Sequence, residues 1–524
     1  MPSRVLAAVC RSHVLNKEKN LTIRRSLTTA AAFFLLLTRP GFNVPQAHAD
    51  DAAANGKAAH VILLSIDGFH QLDLENYIAA HPGSTLAALV ARGTEYTNTT
   101  SSRPSDSFPG TLAMTTGGSP SSTGIYYDVS WDDLLSPPGS ACATRGTTVP
   151  FDGTGINVDD TLVNTSIDIN KLPLDPDHNC SLVYPHNYLK VNTIFEVIKA
   201  AGLRTAVSDK HPSYELLNGP SGTGVDDLFT PENDANGAKK DITKMKAYDE
   251  TKVQAVLNQI DGYDHARITQ VGVPAIIMMN FQAANIGEKV GGYADATGTP
   301  TVALAGAFDY VDGALGRMVT ELDAQGLTAS TLVIVTAKHA DAPIDLTTRV
   351  AIDPAKIDAT VNSVQTGLLA HQTPDSISLI WLTDHSRAAD VAAAIQANAS
   401  VLKPETIYYG DAINHIFNGT LAFASNRRPD VIIQPQAGVI YTTTSAATKK
   451  VEHGGFTEEN THVPLIVVGP GVTVGRVDGA VDLRQVAPTI LKALGLKPND
   501  LQAVRLEHTH RLPTVEEEED GEIQ

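Results

Sequence analysis

The chain has 524 residues, a hydrophobic fraction of 42%, a charged fraction of 19% and a formal net charge of −19. That length excludes a single small domain and accommodates one large α/β domain with insertions, or two to three domains. The first 49 residues carry seven basic residues and one acidic residue; without them 32 basic residues face 57 acidic ones, about −25. This balance disfavours a nucleic-acid polymer or an anionic membrane as bulk partner, but not a small phosphorylated substrate held by a local cationic site.

The N-terminus reads as an export signal. Arg24 and Arg25 precede the apolar run Ala30 to Leu37, and Ala47-His48-Ala49 is a small-residue cleavage site before Asp50. The run is too short to span a bilayer as a mature helix, and no later segment is long and apolar enough to do so. Residues 1–49 are therefore expected to be removed, leaving a periplasmic or secreted protein without a membrane span. Cys10 leaves with the signal. Cys142 and Cys180 remain, and an even pair in an exported chain predicts a disulfide.

The first strand is His60–Ile66 (HVILLSI), a continuous apolar run of the kind buried on both faces of a parallel sheet. Asp67-Gly68 follows at its carboxyl end, where open α/β sheets place their ligands. Asn192–Ala201 reads as a helix stopped by Gly202, and Arg204–Ser208 as the next strand. Pro274–Phe281 is another buried strand, followed by a helix from about Val302 to Gln325. Thr331–Thr336 is a strand ending at Lys338-His339, and Val463–Val468 one ending at Gly469-Pro470-Gly471. Asp482–Leu494 closes as a helix before Gly495. Strands alternating with helices predict an α/β fold with a parallel-rich sheet covered on both faces.

Two stretches interrupt this rhythm. Residues 128–190 are rich in Pro, Gly, Asp and Thr and carry both remaining cysteines; they read as a loop-rich insertion. Residues 343–450 hold their own strand (Ile377–Leu382) and helix (Arg387–Asn398) and read as a small α+β insertion. The main domain is thus expected over residues 50–500. Residues 501–524 end in Glu516 to Asp520, a like-charge run expected to be a disordered acidic tail.

Four positions carry candidate chemistry. Asp67 is either a strand-end carboxylate or a turn residue before Gly. Ser107, beside a short helix beginning near Phe108 with Pro109 in its first turn, is either an N-cap or a nucleophile at an anion-binding helix start. His339 and His453 each read singly as ordinary histidines. Their joint placement gives the functional reading: Asp67, His339 and the stretch Asn280–Glu288 all follow ends of predicted parallel strands, which gather on one edge of the sheet. Lys210-His211 also follows a strand end and either lines the pocket or forms a solvated turn.

The order Asp67-Gly68, Ser107-Phe108-Pro109, Thr115-Thr116-Gly117, Lys338-His339 and Glu452-His453-Gly454-Gly455 resembles the type I phosphodiesterase/nucleotide pyrophosphatase family of the alkaline phosphatase superfamily. Pro464, Gly469-Pro470-Gly471 and Val486-Ala487-Pro488-Thr489 extend the resemblance over residues 60 to 496. It implies an alkaline-phosphatase-like three-layer sandwich that hydrolyses phosphodiester or pyrophosphate bonds of small phosphorylated substrates with two zinc ions. Residue by residue it implies Asp67, His339 and His453 as metal ligands and Ser107 as nucleophile.

The departures are specific. Lys338 stands where the family has an Asp ligand, and a charged lysine cannot ligate a metal. Ala284 replaces a second Asp, Glu288 stands where a His is expected, and Gly110-Thr111 replaces Asn-His. Three outcomes follow. Substitute ligands complete the sites, with Glu288, Asn280, Gln282, Asp341 and His371 as candidates. Alternatively, the Lys338 ammonium takes over one metal's charge, pairs with Asp67 and acts catalytically. Finally, the site binds an anionic or phosphorylated ligand without hydrolysis. The expectation carried forward is a hydrolase with Ser107 and Lys338 catalytic and a divalent metal, zinc by resemblance, on Asp67, His339, His453 and Glu288. Sulfatase-like chemistry ranks last, because Ser107 to Thr111 lacks the arginine of that motif.

Overall fold

A computed structural model describes residues 57–519 apart from 152, 296, 345, 346, 348, 418–425 and 444–449. The expected export signal lies outside the described residues. Among the described residues no helix is long and apolar enough to cross a membrane.

The frame is a nine-stranded sheet. Its strands are β1 (His60–Ile66), β2 (Thr94–Thr100), β3 (Thr205–Ser208), β4 (Asp227–Phe229), β5 (Ile276–Phe281), β6 (Thr331–Thr336), β7 (His462–Val468), β8 (Gly475–Val477) and β9 (Val481–Asp482). Their order is β8-β2-β7-β6-β1-β5-β3-β4, with β9 paired to β2. Strand β1 pairs in parallel with β5 and β6, and β3 in parallel with β5 and β4. Only β7 among these nine runs antiparallel to its neighbours β6 and β2, a reversal that its apolar run does not signal. The central strands β1, β5 and β6 are buried almost without interruption, as their unalternating apolar sequences require.

Helices α1 (Thr85–Arg92), α2 (Ser107–Thr116), α3 (Ile194–Ala200), α4 (Ile242–Ile260), α5 (Val302–Ala324) and α6 (Val486–Ala493) cover the sheet. Leu89 of α1 and Leu315, Met318 and Leu322 of α5 meet Ile62, Leu64 and Val333 on one face. Helices α2, α3 and α6 pack with one another as a second layer. The ends of α3 were readable because they are chemical: Thr193 accepts from the Glu196 N–H at 3.3 Å and Glu196 reaches back to the Thr193 N–H at 3.2 Å, a reciprocal cap. The predicted final helix starts with a 3₁₀ turn, Leu483–Gln485, before α6.

Both insertions are present as compact additions. Residues 128–190 form two small antiparallel ribbons, Val129–Asp132 with Thr147–Pro150 and Leu174–Asp175 with Ser181–Leu182, and Cys142 is bonded to Cys180. Residues 343–450 contain a four-stranded sheet and helices Ala355–Val364 and Ala388–Ala397, around a separate core that includes Ile357, Ile380, Ile395 and Ile433. His385 joins the two insertions: Nδ1 lies 2.9 Å from Asp430 Oδ1 and Nε2 3.1 Å from Asp133 Oδ2.

The expected disordered tail is instead folded as far as Glu519. Leu501, Ala503, Val504 and Leu512 are buried. Tyr96 donates to the Pro513 carbonyl at 2.8 Å, Arg484 pairs with Glu507 at 2.7 Å, and Glu518 accepts from the Asp478 and Gly479 N–H groups at 2.7 Å. A like-charge run alone suggests a solvated segment; here apolar anchors hold the segment and backbone donors neutralise its carboxylates.

Two outcomes follow from these links. Cys142→Ser with Cys180→Ser should lower unfolding free energy by about 2–4 kcal/mol, read by urea denaturation; an unchanged midpoint would refute a stabilising bridge. Hydrogen bonds to Asp133 and then Asp430 raise the His385 pKa from 6.5 to about 10. A raised folded-state pKa stabilises fully below the unfolded value and is lost as pH climbs through the folded one. The stability difference between wild type and His385→Ala should therefore be largest below pH 6.5 and vanish above about pH 10; a difference that grows with pH would contradict the link.

Candidate active site

Register brings the site together. Ser65 of β1 is level with Thr336 of β6 and Asn280 of β5, and Ser208 of β3 with Met279 of β5. The residues that follow these four parallel strands therefore meet at one edge: Asp67 after β1, Lys210 after β3, Gln282 after β5, and Lys338 and His339 after β6. The Lys338 N–H donates to Ser65 Oγ at 3.2 Å and fixes the β6 end against β1.

Asp67 is fully buried and every neighbour turns on it. Its Oδ2 accepts from Lys210 Nζ at 3.0 Å and Asn280 Nδ2 at 3.3 Å, faces Lys338 Nζ at 3.1 Å, and accepts from Gln282 Nε2. Its Oδ1 lies 2.6 Å from His339 Nε2. Burial would raise the carboxyl pKa, but the charges of Lys210, Lys338 and His339 outweigh it and hold Asp67 well below the usual carboxylate range. Lys338 is itself fully buried; its ammonium also donates to Tyr214 Oη at 2.9 Å and sits 5.0 Å from that ring's centroid.

Ser107 opens α2, and Asp106 caps the helix by accepting from the Phe108 N–H at 3.2 Å, one residue earlier than the sequence indicated. Ser107 Oγ lies 3.2 Å from His339 Nε2 and 3.2 Å from Lys210 Nζ. Gly110, in the next turn, has no room for a side chain, because a Cβ there would collide with the Lys338 carbonyl. The close approach is to the backbone of residue 338, so Gly110 is required by the path of the chain there.

His339 is buried. Burial first, and the neighbouring His453 charge, lower its pKa to about 4 against the pull of Asp67 and Asp341. Its Nδ1 lies 3.5 Å from Asp341 Oδ1, and its ring stacks on His453 with centroids 4.3 Å apart and planes within 11°. His453 arrives from the short strand Val451–Glu452, paired with Ala342–Pro343 rather than carried by the central sheet. Its Nδ1 is 3.2 Å from Asp341 Oδ1. Burial and Lys289 push its pKa down, but Asp341 and Asp375 raise it to about 9.

The expected residues thus form a continuous site, though not the expected ligand set. At Asp67, Ser107 and His339 a metal does not fit, because two ammonium groups already stand within 3.1 Å of the carboxylate. His339, Asp341 and His453 do fit one: their donor atoms lie within 4.8 Å of one another, and both imidazole Nδ1 atoms turn toward Asp341 Oδ1, at 3.5 and 3.2 Å. Imidazole ligates in its ring plane, so the stacked rings must turn to share an ion. Glu288 lies apart from His453 and groups with His70 and Asp73. His371 stacks on Trp131 at 6.4 Å, away from these residues.

Lys210 is the central residue that sequence reasoning left undecided. Its signal is a repeated pattern: Ser208-Asp-Lys210-His211 after β3 matches Thr336-Ala-Lys338-His339 after β6. Both lysines, two positions beyond parallel strands, converge on Asp67. His211 does not follow them, since its Nδ1 pairs with Glu232 at 2.8 Å. A separate cavity of about 760 Å³, lined by Arg484, Glu507 and Arg511 among others, contains none of the residues around Asp67.

The solved structure of wild-type alkaline phosphatase PafA resembles this fold at 12% identity with a TM-score of 0.58, covering 84% of this chain and 96% of that one. Murine ectonucleotide pyrophosphatase/phosphodiesterase 5 resembles it at 15% identity and 0.56 over the same shares, and the human protein of that name at 12% and 0.55 over 84% and 95%. No curated protein matches the chain in sequence. The description "Type I phosphodiesterase / nucleotide pyrophosphatase" matches residues 61–457, most of the chain. With the Asp67, Ser107, His339 and His453 positions assembled on an alkaline-phosphatase-like sheet, the chain belongs to the type I phosphodiesterase/nucleotide pyrophosphatase family.

Proposed function

We propose that this protein is an exported hydrolase of phosphodiester or pyrophosphate bonds in small phosphorylated substrates, with Ser107 as nucleophile and Lys210 and Lys338 carrying the charge of one of the family's two metals. The observation that carries the reading is the position of Lys210 Nζ, 3.0 Å from Asp67 Oδ2 and 3.2 Å from Ser107 Oγ. An ammonium there stabilises developing negative charge on the serine oxygen and on the phosphoryl group in a site shielded from water.

The chain's own residues support a balanced reaction. Ser107 Oγ forms a bond to phosphorus as the bond to the leaving oxygen breaks. The serine proton passes to a non-bridging oxygen of the substrate's phosphoryl group and from there to the leaving oxygen, because His339 Nε2, 2.6 Å from Asp67 Oδ1, already carries its proton toward that carboxylate. Water then attacks the phosphoserine by the reverse proton path and frees Ser107. The family is generally dependent on divalent metal; His339, Asp341 and His453 would hold a single ion, zinc by donor type, which would supply Lewis-acid charge.

Asp249 and Lys252 position the polar residues under Asp67. They pair at 3.0 Å, fully buried; Asp249 accepts the Gln282 and Ala283 N–H groups at 2.8 and 2.7 Å, and Lys252 donates to the Asn280 carbonyl. Export of the chain after loss of residues 1–49 accords with the Cys142–Cys180 bridge.

Hydrolysis of bis-(p-nitrophenyl) phosphate by the purified protein tests the reading. Ser107→Ala should abolish turnover, and Lys210→Ala should reduce kcat on the order of 10²- to 10³-fold. Full activity in Ser107→Ala would sink the proposal, whereas wild-type protein that binds the diester without turning it over would favour the anion-binding alternative. Gly110→Ala should destabilise the fold by about 1–3 kcal/mol through overpacking against Lys338; an unchanged melting temperature would show that Lys338 does not exclude a side chain there.

A further inference from the structure

His70, Asp73 and Glu288 form a second buried donor group that the proposed reaction does not use. His70 caps the helix Gln71–Ala80, and Asp73 in its first turn accepts the His70 N–H at 3.0 Å. Glu288 arrives from the turns after β5. Gly68 makes the approach possible, because a Cβ there would collide with Glu288 Oε2 and lie 3.0 Å from Asp341 Oδ2. The three donor atoms lie within 4.8 Å of one another, and all three residues are buried.

One donor atom of this group, Glu288 Oε2, is buried without a partner among the described residues. His70 Nε2 lies 2.7 Å from the Glu459 carbonyl, which can only accept, so the proton belongs on Nε2. Nδ1 faces Asp73 Oδ2 at 3.0 Å: a doubly protonated ring donates to it, and a neutral ring turns its lone pair into the group. Asp73 Oδ2 also accepts from Tyr293 Oη at 3.0 Å. A histidine whose far nitrogen is held by a backbone carbonyl is the usual arrangement around a metal-ligating imidazole.

We infer that His70 Nδ1, Asp73 and Glu288 bind a divalent cation. One imidazole and two carboxylates suit Zn²⁺ or Mn²⁺ better than Ca²⁺ or Mg²⁺, which favour all-oxygen shells. The ion offsets a concentration of negative charge: Asp73, Glu288 and Asp341 are buried close together, and Lys289 reaches only to 3.9 Å from Asp341. It also ties the turn after β1 to the turn after β5 and thereby holds Asp341 in place beside His339 and His453. The inference is independent of the chemistry proposed for Ser107.

The test uses the full protein, stripped with chelator and reloaded with Zn²⁺ alone. Bound zinc per chain is counted by mass spectrometry for wild type, Glu288→Gln, Asp73→Asn and His453→Ala. Glu288→Gln and Asp73→Asn should each hold one zinc fewer than wild type, and His453→Ala should retain the zinc that they lose. Anomalous diffraction from wild-type crystals soaked in Zn²⁺ needs no variant and should place an ion between His70 Nδ1 and Glu288. Density confined to His339, Asp341 and His453 would overturn this inference while leaving the proposed single ion intact. Density confined to His70, Asp73 and Glu288 would do the reverse. Equal zinc content in wild type and Glu288→Gln, or no zinc in wild type, would also overturn it.

Discussion

The site depends on one buried carboxylate. Asp67 has no exposed surface, and an unpaired charge so placed would cost several kcal/mol. The fold answers with Lys210 and Lys338, both against Oδ2, and with His339 against Oδ1. Removing either ammonium leaves the other to carry the balance, and removing Asp67 leaves two buried cations without their anion. The same arrangement explains the local sequence: Gly110 yields space to the Lys338 backbone, and Tyr214 receives the Lys338 ammonium on both its hydroxyl and its ring face.

This geometry recasts the departures from the family pattern as a coherent substitution. A ligand replaced by lysine, considered alone, is damage to a metal site. On the proposed reading, a second lysine arriving from the end of β3 lets two monocations take the place of a dication. Ammonium groups cannot polarise an oxygen as zinc does, but they are fixed donors in a dry site, where electrostatic stabilisation is strongest. Beside this pair, the carboxylates Asp341, Glu288 and Asp73 are buried.

Phe151 of the loop-rich insertion contacts the Phe108 ring at 5.4 Å, beside Ser107, and Tyr127 bonds Asp375 of the α+β insertion at 2.9 Å. Ser107 is only 6% exposed. Segments outside the central sheet therefore pack beside Ser107, and on the proposed reading they limit the access of substrate to it.

Much of this was readable without coordinates. The continuous apolar runs of β1, β5 and β6 announced a buried parallel sheet, because only strands covered on both faces carry such sequences. Parallel strands place their carboxyl ends on one edge, so Asp67, Lys338 and His339 could be grouped from sequence order alone. Tertiary structure decided the rest. Strand direction is not encoded in a short apolar run, so β7 was free to reverse. Whether Lys210 pointed into the site depended on β3 lying next to β5. Whether Glu288 joined His453 or His70 depended on how the turns after β1 and β5 packed around Gly68. The acidic C-terminal segment folded because Leu501, Val504 and Leu512 found apolar surface to cover, which its charge pattern could not reveal. Sequence specified which groups could meet at the sheet edge; the packing of distant turns specified which of them share a charge.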